Sequence, residues 1–150
     1  MIDHESIRII GEWLFYLDGV LVKQEKNLIV NAGLNYLASL LANENTNNIS
    51  IYLAYGTGTT AAAAGDVKLQ TEGGRKIVST KTRSGVVAKL RTFLITTEGI
   101  GTWTEFGIFM AGTSAADSGT LLNRILPTGG IAKTASTVLT IEVRITFAAG

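Results

Sequence analysis

The sequence of 150 residues offers few side chains that are suited to catalysis. It contains no cysteine, which excludes thiolate nucleophiles, cysteine-ligated zinc and disulfide bonds. Its one histidine, His4, stands near the start of the chain, where a general base would lie on a segment prone to fraying. A single histidine also argues against a transition-metal site. We therefore expect no enzymatic activity, no bound metal and no cofactor.

Two carboxylates, Glu98 and Glu105, suggest the pair of acids that glycoside hydrolases use. Glu105, however, lies within the apolar stretch of residues 103–109 (Trp-Thr-Glu-Phe-Gly-Ile-Phe). A buried acid needs a cationic partner, for which the sequence offers Arg75 and Arg124. We predict that Glu105 and Arg124 form a structural ion pair rather than a catalytic site.

Two glycine-rich segments resemble nucleotide-binding loops only in part. Residues 56–60 (Gly-Thr-Gly-Thr-Thr) lack the Gly-Lys-Ser/Thr ending of a phosphate-binding loop. Residues 99–101 (Gly-Ile-Gly) lack the third glycine of a dinucleotide-binding fingerprint. Both segments are predicted to be turns.

Basic residues concentrate in one stretch of the chain: Lys76, Lys81, Arg83, Lys89 and Arg91. Because alternate residues of a strand share a face, Lys89 and Arg91 are predicted to lie beside Phe93. Such a patch suits an acidic protein surface or a nucleic acid, or it is a solvated face that protects an edge strand. The formal net charge is only +1, from 13 basic and 12 acidic residues, which argues against direct nucleic-acid binding.

The elements that position these residues are mostly strands. Apolar and polar residues alternate most clearly over residues 137–147, and Asp18-Gly19 and Ser84-Gly85 are typical of hairpin turns. About eight strands without regular alternation with helices predict a mainly β fold, an antiparallel β-sandwich or jelly roll. The other predicted strands are residues 6–10, 13–17, 20–23, 49–55, 75–83, 86–96, 102–110 and 120–126.

One amphipathic helix is predicted after Val30, with Asn31 as its N-cap and an end near Ala42. A helix of this length must lie on a sheet to bury its apolar side. Residues 57–74 show little periodicity and are predicted to form a long surface loop. The apolar side of the helix is predicted to consist of Leu34, Leu37, Leu40 and Leu41.

The N-terminal residues 1–27 are predicted to form a hairpin that either adds two strands to the sandwich or projects as an arm, with residues 28–150 forming the sandwich domain. The strand that contains Trp13, Phe15, Tyr16 and Leu17 is apolar on both faces, so it needs cover on both sides. We predict that these four residues contribute to an interface with another subunit or a neighbouring protein.

Five segments occur along the chain in an order that is also found in a known group of proteins: Asn31-Ala32-Gly33-Leu34, Ala54-Tyr55-Gly56-Thr57-Gly58, Leu69-Gln70-Thr71-Glu72, Trp103-Thr104-Glu105-Phe106-Gly107-Ile108-Phe109 and Gly119-Thr120-Leu121-Leu122-Asn123-Arg124. Over about residues 28–147 the chain resembles the tail-collar fibre and related small structural proteins of tailed bacteriophages. In the fibres a long distal part follows this module, whereas the sequence here ends at Gly150. The module on its own is similar to phage capsid decoration proteins.

The resemblance implies a non-enzymatic virion structural protein, first of all a capsid decoration (cement) protein that oligomerises, as a trimer, on a phage head. Its partners would be its own copies and the major capsid protein. A tail or fibre-attachment component, bound to a tail protein, is the alternative that the same resemblance implies.

A third hypothesis comes from the aromatic residues: a small carbohydrate-binding β-sandwich in which Trp13, Trp103 or Tyr52 is a stacking platform. The acidic N-terminus does not fit a signal peptide, and no apolar run approaches the about 18 residues that span a membrane. We therefore expect synthesis in the host cytoplasm, location in the virion and no membrane partner.

Overall fold

The computed structural model describes residues 6–44 and 49–150, so the prediction for His4 lies outside the described residues. Nine strands form one antiparallel sheet in the order β4-β3-β8-β9-β2-β1-β11-β6-β5, and β7 and β10 form a small second sheet. The predicted mainly β, sandwich-like fold with one helix is confirmed. The elements are β1 (Ile7–Leu17), β2 (Val20–Ile29), α1 (Asn31–Leu41), β3 (Ile51–Gly56), β4 (Glu72–Ile77), β5 (Thr80–Ser84), β6 (Val87–Leu94), β7 (Gly101–Trp103), β8 (Glu105–Met110), β9 (Thr120–Ile125), β10 (Ile131–Lys133) and β11 (Leu139–Ala149).

The large sheet curls so that its two end strands, β4 and β5, are consecutive in the chain. The Val78 N–H donates to the Ile51 carbonyl of β3 (2.8 Å), and the Ser79 N–H donates to the Arg91 carbonyl of β6 (2.9 Å). Two residues therefore carry the chain from one edge of the sheet to the other. The single strand predicted over residues 75–83 is wrong because apolar alternation does not reveal a change of partner strand.

The core lies on the inner face of the curled sheet. Trp13, Phe15 and Phe106 form its aromatic centre, with ring centroids 5.0 to 6.1 Å apart. The strand alternation that the sequence shows in β11 places Leu139, Ile141, Val143 and Ile145 in this core. Each large apolar side chain buried in this way stabilises the fold by about 1.5–3 kcal/mol.

The N-terminal hairpin is an inner part of the sheet and not an arm. β1 pairs with β11 over its whole length, and β2 lies between β1 and β9. Asp18 (φ 48°) and Gly19 (φ 82°) form the predicted two-residue turn. Trp13 and Phe15 are fully buried in the core of their own chain, so the prediction that they contact a partner is wrong. Tyr16 and Leu17 are partly exposed, and their interface role stays a prediction.

Helix α1 is where the sequence predicts it, and of the four leucines predicted on its apolar side Leu37 and Leu40 pack against the core. Leu34 and Leu41 are 41% and 91% exposed, whereas Gly33 and Tyr36 are buried. A Cβ at Gly33 would clash with the Leu122 carbonyl oxygen of β9, so the helix backbone approaches the sheet at this glycine. Val30, rather than Asn31, occupies the N-cap position. Gly33 has no side chain, so the spacing of the leucines does not reveal its contact with the sheet.

Candidate functional site

Glu105 is the first residue of β8, directly after the break at Thr104 that separates β7 from β8. It pairs across the sheet with Gly56, the last residue of β3. All six residues of β8 are buried, and the Glu105 side chain is completely so. The carboxylate therefore lies inside the protein at the point where the chain leaves β3 and enters the loop of residues 57–71.

Three backbone N–H groups of the loop donate to the Glu105 carboxylate. Gly58 and Thr71 donate to Oε2 at 2.6 and 2.8 Å, and Gln70 donates to Oε1 at 2.8 Å. The Arg124 Nε donates to Oε1 at 3.1 Å, with Nη2 3.0 Å from the same oxygen. Both oxygens are thus occupied by donors from the protein itself. These donors satisfy the hydrogen-bonding capacity and the charge of the buried carboxylate.

The glycines of residues 56–60 allow this arrangement. A Cβ at Gly58 would clash with Glu105 Oε2, and a Cβ at Gly56 would clash with the Thr71 carbonyl oxygen. The predicted turn of residues 56–60 therefore lies closely around the buried Glu105 carboxylate, and this segment is called the cradle below. The Gln70 side-chain oxygen extends the cradle by accepting from the next two backbone N–H groups, of Thr59 and Thr60, at 2.8 and 2.9 Å.

Arg124 joins Glu105 to a second carboxylate. Its Nη1 is 3.0 Å from Asp66 Oδ2, which also accepts from the Ala63 N–H at 2.9 Å. The predicted pair of Glu105 and Arg124 is present, and both side chains are buried. The sequence prediction missed Asp66 because the alanine-rich loop around it has no periodic signal.

Arg75, the other cation considered for Glu105, has a different partner. Its Nε and Nη2 donate to the two oxygens of Glu72 at 2.7 and 2.8 Å, and both side chains are buried. Its guanidinium carbon lies 4.4 Å from the centre of the Phe109 ring. Residues three apart normally lie on opposite faces of a strand, but a register shift in the pairing of β3 with β4 places these two together.

The two carboxylates that suggested a glycosidase are each used within the protein. Glu98 Oε1 lies 2.7 Å from Lys76 Nζ, and the hydrogen bond from Lys76 is the main reason that the pKa of Glu98 is lowered. Glu105 is enclosed by its donors. A general acid needs a proton to donate and access to its substrate. The lowered pKa keeps Glu98 ionised, and the Glu105 side chain is fully buried.

The aromatic residues of the carbohydrate hypothesis do not share one exposed plane. Trp13 is fully buried, and Trp103 packs on Tyr55 with ring centroids 4.6 Å apart while its Nε1 donates to the Gly99 carbonyl. Tyr52 lies beneath Arg75, 5.7 Å from the guanidinium carbon. Trp13 is thus out of reach of a sugar, and Trp103 and Tyr52 each pack against a neighbouring side chain.

The basic stretch divides between two faces of the sheet. Lys89, Arg91 and Phe93 line a common depression on the outer face, as predicted. Lys81 lies opposite Leu90, whose side chain faces the core, so Lys81 is on the other face. The outer face of β1, β2, β5, β6 and β11 is called the basic face below.

In the part of the chain that the structure describes, residues 6–44 and 49–150, no three histidine, aspartate or glutamate side chains lie together as the ligands of a metal ion would. No helix in this part of the chain has the length and apolar character needed to cross a membrane. Comparison with protein-family models, with curated proteins and with solved structures finds no match to the chain.

Proposed function

We propose that the chain is a non-enzymatic structural protein of a tailed phage, a decoration protein that binds as a trimer to the outside of the head and stabilises it. The proposal begins from the five segments that resemble phage structural proteins. The observation that carries it is the convergence of these segments on one buried carboxylate.

Four of the five segments meet at Glu105. Residues 103–109 contain it, residues 54–58 and 69–72 donate backbone N–H groups to it, and residues 119–124 supply the arginine that pairs with it. Segments far apart in sequence thus depend on each other physically. A shared framework of this kind gives a physical reason for the segments to occur together, which supports the resemblance.

The fifth segment, residues 31–34, belongs to the same framework. Its Gly33 lies against Leu122, which is two residues from Arg124 in β9. Helix, loop and sheet are therefore fixed to one another through a few close contacts. A rigid module that holds its loops by internal charges is suited to a structural role, in which many symmetric copies turn modest contacts into strong binding.

The proposal is tested with particles of the phage whose genome encodes the chain. Heads assembled without the chain are mixed with the purified protein, sedimented and imaged. We expect saturable binding at a fixed number of trimers per head and a rise in the temperature at which heads release DNA. Binding to tails alone would support a tail component instead, and binding to neither particle would contradict both.

A pair of variants makes the test specific to the predicted contact. Tyr16→Glu places a charge on a partly exposed residue of the hairpin and should lower the number of copies bound. Val67→Glu makes the same kind of change on the loop, where Val67 is exposed, and should leave binding unchanged. Equal binding by the two variants would remove Tyr16 from the interface.

A further inference from the structure

The basic face carries a concentration of positive charge that the composition of the whole chain hides. Strand register places the outward side chains of five strands together, because residues directly across an antiparallel pair share a face. Five of them are basic and two are acidic, an excess of three charges, whereas the whole chain has an excess of one. The rest of the protein is therefore net negative. The charged residues are Arg8, Lys26, Lys89, Arg91 and Arg144, with Glu12 and Glu142.

The centre of the basic face is a pair of guanidinium groups that share one carboxylate. Glu142 accepts from Arg91 Nη2 at 2.8 Å and from Arg144 Nε at 2.6 Å. Burial alone would raise the pKa of Glu142, but these two hydrogen bonds outweigh it and the pKa is lowered. The arginine side chains remain 43% and 36% exposed, which leaves N–H groups of both guanidiniums for another molecule.

Lys89 lies beside this pair. It is directly across from Arg144 in the sheet, and it forms no hydrogen bond or ion pair within the part of the chain that the structure describes. Lys89 and the two arginines face two carboxylates, Glu142 and Glu12, the second of which is directly across from Arg144 and lines the same depression as Lys89. One positive charge therefore remains uncompensated. This arrangement attracts carboxylates from another molecule.

The shape of the basic face favours an extended ligand. Three shallow depressions of about 340, 360 and 230 Å³ lie in a row, since the first and second share Lys89 and the second and third share Arg91 and Phe93. The third depression is also lined by Tyr16, so the row ends between two aromatic rings beside Arg91. Successive side chains of a strand-like segment would enter successive depressions.

We propose that the basic face binds an extended acidic segment of another protein. Its carboxylates would pair with Lys89, Arg91 and Arg144, and an apolar side chain would lie between Phe93 and Tyr16. Under the proposed function, on which only the identity of the partner rests, the segment belongs to a neighbouring protein of the phage particle. The basic face is then the surface through which the decoration protein reaches its neighbour.

The test uses a fluorescein-labelled ten-residue peptide of alternating glutamate and valine, with binding followed by fluorescence anisotropy. Lys89→Glu should weaken binding by about tenfold, and Lys89→Ala by about threefold, since a charge reversal removes more than a neutralisation. Lys81→Glu is the matched control, because it reverses one charge on the paired strand and on the opposite face. It should change the affinity by less than about twofold.

Three results would overturn the inference: no binding of the peptide, an equal effect of Lys81→Glu and Lys89→Glu, or tighter binding of a ten-nucleotide oligothymidine at the same salt concentration. The last result would assign the face to nucleic acid. Binding to phage heads separates this inference from the proposed function. If the unmodified protein binds the peptide but no phage particle, the proposed function is refuted and the inference stands. If the protein binds both, and Lys89→Glu changes neither binding, the inference is refuted and the proposed function stands.

Discussion

The loop of residues 57–71 and the basic face are both organised by arginine and carboxylate groups, yet the two regions use them differently. In the loop, Glu105 is completely buried and accepts hydrogen bonds from three backbone N–H groups and from Arg124. On the basic face, Glu142 is buried but its two arginines are partly exposed to solvent. The first arrangement fixes the chain to itself, and the second leaves donors available to another molecule.

The difference follows from the exposure of the cation rather than from its chemistry. Both groups of a buried ion pair have given up their contact with water. Removing one of them therefore leaves the other charged, buried and without a partner. An exposed guanidinium recovers water when its partner is removed, so the energetic cost is small. The comparison therefore predicts large stability effects at the loop and small ones on the basic face.

The largest effect is expected for Glu105→Ala, which removes the acceptor of Arg124 and of three backbone N–H groups. We expect a loss of about 3–5 kcal/mol in the free energy of unfolding, measured by urea denaturation. Asp66→Ala is the control, because Asp66 binds the same arginine but is 24% exposed, and it should cost about 1 kcal/mol. Equal losses for the two variants would show that burial does not set the cost.

A smaller loss is expected for Gly58→Ala. The added methyl group would clash with Glu105 Oε2 and force the loop away from the carboxylate. Overfilling of a packed site costs about 1–3 kcal/mol. Gly65→Ala, in the same loop, places its methyl group in open space and should be nearly neutral. If the two variants unfold at the same temperature, Gly58 does not fit closely against Glu105.

The sequence predicts the parts of this picture that depend on local patterns. The alternation in β11, the Asp18-Gly19 turn and the position of α1 all follow from residues close in sequence. The Glu105–Arg124 pair was also predictable, because an acid inside an apolar strand requires a cation. In each case one physical requirement points to a small number of neighbours.

The parts that the sequence does not predict depend on register and on close approach between distant elements. The burial of Trp13 follows from the central position of β1, which no pattern within residues 1–27 reveals. The Glu72–Arg75 pair depends on a register shift in β4. The basic face likewise exists only because β1, β6 and β11 lie side by side, which their separation in the chain conceals.

A modest, pH-dependent effect is expected for Glu142→Gln. The pKa of Glu142 in the folded protein is below its ordinary value of 4.5, so its ionised form contributes stability above that pH and loses it as the pH falls through the folded value. We expect a loss of about 1 kcal/mol at pH 7 because the arginine partners are exposed. The difference from the unmodified protein should shrink between pH 6 and pH 3 in denaturation measurements. A difference that stays constant over this range would show that Glu142 acts through its shape and not its charge.

The smallest stability effect is expected for Lys89→Glu, the variant that should most affect binding to the acidic peptide. Lys89 has no partner within the described residues, and the new carboxylate would face Arg144 across the sheet. The free energy of unfolding should therefore change by less than about 0.5 kcal/mol. A loss above about 1.5 kcal/mol would mean that the basic face is structural in the same sense as the loop. The contrast between a region that holds the chain together and a region that is free to bind would then fail, because both would be needed for the fold.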